Sequence, residues 1–419
     1  MSQRHITIVG AGQSGIQLGL GLLMHGYHVR LISDRTPEEI RAGRVASSQC
    51  MFSKALEYER AVGVDLWPDA PAVNGIGFTV PHPEQPGEKL FSWAGQLDAP
   101  AYAIDQRIKF PALIELFVQN GGEVVYEEAD IAALERYTLD SELVIVAAGK
   151  GEIARGFERD ADRSTYAEPQ RALALTYVTG FEPTPDFSRV SFNLIPGVGE
   201  FFVFPAATIS GGCHIFVFEG VPGGPLDRWK GLTPEQHLEA SLDFLKTYLP
   251  WEAERATNVE LTDELGVLQG RFAPTVRRPV MHLPSGRTVL GMGDVVVLND
   301  PITGQGSNNA SKCAQSYLDA ILDHEGLPYD RAFQQNAFER YWARIKPVAD
   351  WTNALLSPPP PHVLQLLAAG AEFPEIAHRF ANGFTDPVDF GDYFLTPDGA
   401  ERYLAEVAAR AEASTPAAA

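Results

Sequence analysis

The sequence predicts an α/β protein: a parallel sheet flanked by helices, interrupted by an inserted antiparallel sheet and followed by C-terminal helices. Three observations predict it. The chain opens with a strand, a glycine turn, a helix and a second strand. Two later apolar runs end in small residues or an acid, as buried parallel strands do. Between those runs lie short strand-like segments separated by Gly and Pro, the pattern of antiparallel hairpins.

The opening strand is the β-branched run Ile6-Thr7-Ile8-Val9, broken by Gly10-Ala11-Gly12-Gln13-Ser14-Gly15. A helical stretch from Ile16 to Met24 stops at Gly26, and Val29-Arg30-Leu31-Ile32 is the second strand. Together they make a βαβ unit of about thirty residues. The later parallel strands are Leu143 to Gly149 and Thr288 to Asp294. Arg171 to Val178, Val190 to Leu194, Phe201 to Phe204 and His214 to Phe218 are the hairpin strands. Helical patterns run through Ser311 to Leu322 and past Tyr341, then resume over His362 to Ala369 beyond the break at Pro358 to Pro361. This reading assigns residues 1–75, 100–160 and 280–330 to the nucleotide-binding domain, and 76–99 and 161–279 to a substrate domain. Residues 331–408 become a C-terminal helical region and 409–419 a disordered tail.

Composition narrows the function. Asp and Glu total 54 against 33 Lys and Arg, a formal charge of −21. That field repels polyanions, which argues against nucleic acid and against an anionic membrane surface. No apolar run approaches the ~18 residues of a membrane span, and the N-terminus lacks a signal-peptide core, so the expected location is cytoplasmic. Cys50, Cys213 and Cys313 are too scattered for a disulfide framework or a metal pair. His25 and His28 straddle a helix-ending glycine and make no metal site, and there is no GxSxG elbow for acyl transfer.

Gly10, Gly12 and Gly15 fit the dinucleotide fingerprint of a Rossmann-like domain. The first glycine permits the turn, the second admits a pyrophosphate, and the third lets helix pack on strand. The acid expected about twenty residues later, on the ribose hydroxyls, is Asp34. Its alternative is an ordinary solvated aspartate, because Ser33 holds the more usual place.

A second signature follows the last parallel strand: Gly293-Asp294, then Asp300-Pro301-Ile302-Thr303-Gly304-Gln305-Gly306-Ser307-Asn308. It resembles the GD…P…GxGxN segment of the para-hydroxybenzoate hydroxylase superfamily of flavoprotein monooxygenases. The resemblance implies FAD on a glutathione-reductase type domain, with Asp294 accepting from the ribityl chain. Pro301, Gly304, Gln305, Gly306 and Asn308 would form the loop and helix start facing the flavin pyrimidine. An acceptor-only carboxylate suits ribityl hydroxyls, and a helix N-terminus suits a negatively charged reduced ring.

Single-component members of that superfamily carry an Asp-Gly pair followed by Ser and Arg, which serves FAD and docks NADPH. The matching stretch here is Ala148-Gly149-Lys150-Gly151-Glu152-Ile153-Ala154-Arg155: Ala148 replaces the acid and Glu152 the serine, while Arg155 remains. A closer resemblance covers nearly the whole chain and concerns the oxygenase component of styrene and indole monooxygenases. It is carried by Gly10 to Gly19, Ser33 to Glu39, Leu97 to Pro100, Ala103 to Arg107, Pro169 to Leu173, Leu268 to Gly270, Asp300 to Asn308 and Trp351-Thr352-Asn353. It implies that a separate NADH-dependent flavin reductase supplies reduced FAD, which is used with O2 to epoxidise an aromatic alkene.

Within Arg44-Val45-Ala46-Ser47-Ser48-Gln49-Cys50-Met51, Arg44 matches an arginine expected near the flavin. The styrene branch has Asn at the position of Ser47; Ser47, Gln49 and Met51 resemble the indole branch instead. Indole carries a ring N–H that styrene lacks, and leaving it unpaired in an apolar pocket costs about 1–3 kcal/mol. Ser47 or Gln49 can accept it, or both can satisfy local backbone groups. The expected reaction is epoxidation of the indole 2,3 double bond, leading to indoxyl and indigo, with styrene-type alkenes as further substrates. No protein nucleophile or acid–base residue is required. A styrene monooxygenase proper, a self-sufficient NAD(P)H-dependent hydroxylase and a non-catalytic flavin-binding protein are the alternatives. A halogenase is disfavoured because none of the six tryptophans sits in a WxWxIP pattern.

Overall fold

The computed structural model describes residues 4–149, 151–324 and 326–414. The chain forms two compact units, Met1–Ala70 with Ile104–Pro169 and Phe272–Lys346, and Pro71–Ala103 with Gln170–Arg271 and Pro347–Ala419.

The first unit is built on a six-stranded sheet. In spatial order its strands are Val280–His282, Thr288–Gly291, Leu143–Val146, His5–Val9, His28–Ser33 and Glu123–Tyr126. All neighbours run parallel except the Val280–His282 edge hairpin. Ile6, Thr7, Ile8 and Val9 are all buried, so the central strand is covered on both faces and needs an unbroken apolar run. Its neighbours on the two sides are reached by connections in opposite directions. Its C-terminal end is therefore a topological switch point, where open α/β sheets bind ligands. The helix Gln13–Met24 returns across the sheet; its Gly19 faces the Phe117 ring and its Gly21 faces Leu318, each leaving no space for a Cβ. Small residues there let two further helices, Gln106–Gln119 and Gly306–Leu322, pack close.

The second unit carries an antiparallel sheet ordered Glu260–Leu261, Ala172–Thr179, Gly211–Gly220, Gly199–Thr208, Val190–Ile195, Ala72–Pro81 and Lys89–Ala103. Only Ala72–Pro81 and Val190–Ile195 pair in parallel. One face buries Phe201, Phe216, Phe218 and Trp229 beneath Phe244 of the helix Pro234–Tyr248. On the other, Phe78, Trp93, Phe192 and Phe202 stack with neighbouring centroids 5.4–5.5 Å apart, and Phe380 of the helix Pro374–Gly383 meets them edge-on. Aromatic pairs at these separations add stabilisation beyond area burial.

Two expectations are corrected. The C-terminal helices do not form a region of their own: the division between units falls inside the helix Arg331–Leu355, before Pro347. Its first half buries Phe338, Tyr341 and Ile345 in the first unit, whereas later helices cover the antiparallel sheet. The expected tail from 409 is helical as far as Ser414, and its remainder lies outside the described residues. Strong helix formers favour this, and Arg410 pairs with Glu375 at 3.0 Å. Among the described residues, no helix is long and apolar enough to cross a membrane.

The second unit holds a buried polar cluster. His237 Nδ1 lies 3.0 Å from Thr176 Oγ1, its ring lies tilted against Trp229 with centroids 4.7 Å apart, and its Nε2 has no partner among the described residues. Burial pushes this imidazole down to about 4, and His214 is likewise lowered to about 4, chiefly by burial and then by Arg255. An unfolded histidine titrates near ~6.5, so the unfolded chain takes up protons first as the pH falls. Stability is therefore complete above about pH 6.5 and is lost towards pH 4, by about 3 kcal/mol for His237. Urea unfolding at a series of pH values should show this slope, and His237→Gln should reduce it while leaving the share due to His214. An unchanged slope would contradict the assignment.

Candidate functional site

The turn after the central strand contains glycines of two kinds. Gly10 has φ +121°, and a Cβ there would lie 2.7 Å from the Ala147 carbonyl carbon and the Ala148 nitrogen. A Cβ on Gly15 would sit 2.1 Å from the Gly10 oxygen. The chain's own packing requires both residues. Gly12 is different: its φ of −94° and ψ of −172° suit any residue, and a Cβ there would meet nothing within 4 Å. No contact within the described residues accounts for glycine at this position. The helix that Gly12 starts has no side-chain cap and no acid in its first turn, leaving its N–H groups to an anion.

The second signature folds against the first. Gly293 has φ +60°, and a Cβ there would lie 2.8 Å from Ser14 Oγ; one on Gly149 would lie 2.7 Å from Asp294 Cβ. The ends of three parallel strands thus meet around Ser14, Gly149 and Asp294. Asp294 is exposed. Arg277 braces its turn by donating Nη1 to the carbonyls of Asp294 (3.2 Å) and Val295 (3.0 Å). The Gly293 N–H points at the Cys313 sulfur, 3.4 Å away, and burial pushes that thiol well up, so it stays protonated.

Asp300 caps the short turn Pro301–Thr303 through the Ile302 N–H, and Gly304 follows at φ +62°. The helix Gly306–Leu322 then begins at Gln305, again with no side-chain cap and no acid in its first turn. By contrast, Thr36, Asp105, Asp130 and Thr233 cap their helices with side chains. Gly306 is exposed, and a Cβ on it would touch nothing within 4 Å. Asn308 is turned inward: Nδ2 donates to the carbonyls of Cys50 (2.9 Å) and Gly304 (3.0 Å), and Oδ1 accepts the Phe52 N–H (2.8 Å). It staples the strand Cys50–Met51 to the helix start. Neighbouring Asn309 is 3% exposed, yet neither of its amide atoms has a partner among the described residues. A buried, unpaired amide at a helix start is what a polar ligand would complete.

The remaining candidates fall around this centre. Asp34 lies just past the strand His28–Ser33, exposed and 3.7 Å from Arg35 Nε; Ser33 is buried and donates its hydroxyl to the Arg35 carbonyl. Arg44 is exposed. Ser47 Oγ accepts the Gln49 N–H at 3.2 Å, the local arrangement open to it. Gln49 is buried with a left-handed φ of +29°, a conformation that costs a non-glycine residue energy. Lys150 of the middle motif lies outside the described residues.

Sequence reasoning missed the support beneath Met51. Lys109 Nζ lies 2.9 Å from the Met51 sulfur and 2.6 Å from Glu59, both charges about 95% buried. Glu59 also accepts from Gln13 (2.7 Å), at the start of the helix Gln13–Met24. Lys109 lies between Ile108 and Phe110 in an otherwise apolar stretch, which was the available signal.

Two sets of variants test this geometry. Gly12→Ala should weaken flavin binding about tenfold or more while changing stability by about 1 kcal/mol or less, whereas Gly15→Ala should destabilise by about 1–3 kcal/mol through overpacking. Flavin titration and urea unfolding of the two variants separate these effects, and equal stability losses would contradict the distinction. Lys109→Ala, leaving Glu59 buried and unpaired, should cost about 3–5 kcal/mol, much of it regained in Lys109→Met/Glu59→Leu. No recovery in the double variant would contradict the pairing account.

Comparison with known proteins speaks to the family and the fold. Residues 149–255 match the family model described as "Styrene monooxygenase A putative substrate binding domain". The chain is 30% identical over 406 residues to the styrene monooxygenase StyA of Pseudomonas fluorescens, covering 94% of this chain and 96% of that protein. It is 29% identical over 416 residues to a styrene monooxygenase StyA from a Pseudomonas species, covering 97% and 99%. Among solved structures, a triple mutant of the flavin-dependent brominase Bmp2 superposes with a TM-score of 0.68 at 14% identity, over 95% of this chain and 98% of that one. At that identity the likeness speaks for the fold alone, a Rossmann-like flavin-binding domain with a sheet domain. By near full-length similarity to its relatives, the chain belongs to the styrene monooxygenase family.

Proposed function

We propose that this chain is the oxygenase component of a two-component monooxygenase. It takes FAD already reduced by a separate NADH-dependent flavin reductase, and with O2 it epoxidises the 2,3 double bond of indole, yielding indoxyl and then indigo. Styrene-type alkenes are further substrates. The observation that carries the reading is the convergence of both flavin signatures on one spot, Ser14 against Gly293 and Gly149 against Asp294.

In this reading Gly12 and the N–H groups after it hold the pyrophosphate, Asp34 the ribose, and Asp294 the ribityl hydroxyls. Gly304, Gln305 and Gly306, shaped by Pro301, present a helix start to the flavin ring, Asn308 holds that start in place, and Arg44 adds a positive charge beside it. Reduced FAD supplies the chemistry that activates O2, so the protein's task is to position the alkene and exclude water. Ala148, standing where self-sufficient relatives have an acid, supports delivery of the flavin in reduced form. The Ser47–Gln49 pair is assigned the indole N–H, and Met51, fixed by Lys109, the apolar part of the pocket.

A second reading, styrene epoxidation proper, is favoured by the names of both relatives. The test couples the purified chain to a flavin reductase with NADH, FAD and O2, and compares indigo with styrene oxide formation. Indole turnover should exceed styrene turnover, and Ser47→Asn with Gln49→Val should shift the ratio towards styrene by about tenfold, within the value of one unpaired N–H. Styrene oxide without indigo would establish the second reading. Steady NADH consumption by the chain without reductase would overturn the two-component assignment.

A further inference from the structure

The second unit contains a cavity of about 280 Å³ that its other chemistry does not use. It lies over the sheet face opposite the aromatic stack, where Gly77 pairs with Ser191 and Thr79 with Ser92. This floor is small and polar. Gly77 lacks a side chain because Arg189 lies across it: a Cβ would sit 2.8 Å from Arg189 Nε and 2.9 Å from its Cδ.

Three cations surround the floor. Arg189 pairs with Asp186. Arg255 reaches Glu252 at 2.7 Å and Ser191 Oγ at 3.4 Å, with its guanidinium 4.4 Å above the Phe181 ring. Lys89 holds its ammonium 4.9 Å above the Trp251 ring and makes no ion pair among the described residues. Three positive charges thus face two carboxylates, an excess of one, in a chain whose formal charge is −21. Burial lowers the Arg255 pKa, Glu252 opposes that shift, and repulsion from Arg189 adds to it. A guanidinium and an ammonium converging on a floor of hydroxyls suit a carboxylate. The half-buried Trp251 ring and Pro185 supply an apolar wall.

We propose that this cavity is a binding site for a small aromatic monocarboxylate, its carboxylate between Lys89 and Arg189 and its ring against Trp251. The excess of one charge matches a monoanion better than a phosphate, which carries about −1.5 to −2 at neutral pH. The volume, just under the ~300 Å³ at which ligand pockets usually begin, matches a single ring. All lining residues belong to the second unit, whereas the glycine turn belongs to the first.

The test is calorimetric titration of the full chain with sodium benzoate, beside benzyl alcohol and phenyl phosphate. Benzoate should bind saturably at millimolar concentrations or below, and benzyl alcohol should not. Lys89→Met and Arg189→Gln should each weaken benzoate about tenfold, near 1.4 kcal/mol, without altering flavin affinity. Lys89 is exposed, so its variant will fold and keeps the test valid should the arginine variant fail. Absence of saturable benzoate binding, or binding insensitive to Lys89→Met, would overturn the proposal. Tighter binding of phenyl phosphate than of benzoate would overturn the monoanion assignment.

Discussion

Between Gly10 and the Ala147–Ala148 peptide there is no room for one carbon atom, and the arrangement of the first unit depends on that approach. A Cβ at Gly10 would lie 2.7 Å from backbone atoms that cannot swing aside. Because the turn passes so close to the neighbouring strand end, Gly15 can seat the helix on the turn itself. Ser14 then reaches Gly293, and Gly149 reaches Asp294. Motifs separated by nearly 300 residues in sequence are brought together by absent side chains. The same economy leaves two helix starts, at Gly12 and Gln305, without caps of their own.

Around this centre the polar groups are fixed from below. Asn308 ties the strand Cys50–Met51 to the second helix start, and the Lys109–Glu59 pair ties Met51 to the first through Gln13. Burying such a pair costs desolvation and adds little net stability. What it contributes is placement, because a charged, hydrogen-bonded lysine has few alternative positions. Buried pairs also underlie stretches that carry the family resemblance. Arg107 binds Asp105 at 2.8 Å in one unit, and Arg171 meets both Glu200 oxygens, at 2.7 and 2.9 Å, in the other.

Much of this was legible in the sequence, for a physical reason. Glycines imposed by backbone contact and strands buried on both faces leave strong local marks, so the turn, the βαβ unit, the later parallel strands and the hairpins could be read directly. The division of the C-terminal helices could not. A helix that buries Tyr341 in one unit and continues past Pro347 into the other shows the same periodicity throughout. The helical end at Ser414 was hidden because an alanine- and glutamate-rich segment reads as tail or as helix until a partner such as Glu375 is known. The roles of Glu59 and Arg277 were invisible because they rest on contacts between distant segments, and Lys109 showed only as a charge in an apolar stretch. Asn308 was legible as a motif residue, but not as an inward-facing staple.

The central claim is that two distant signatures hold one ligand. Hydrogen–deuterium exchange of the full chain, with and without reduced FAD under anaerobic conditions, measures this most directly. The account predicts that amides following Gly12 and amides from Gly293 to Asn309 gain protection together, at the same flavin concentration. Protection of the first segment alone, or of the two at different concentrations, would contradict it.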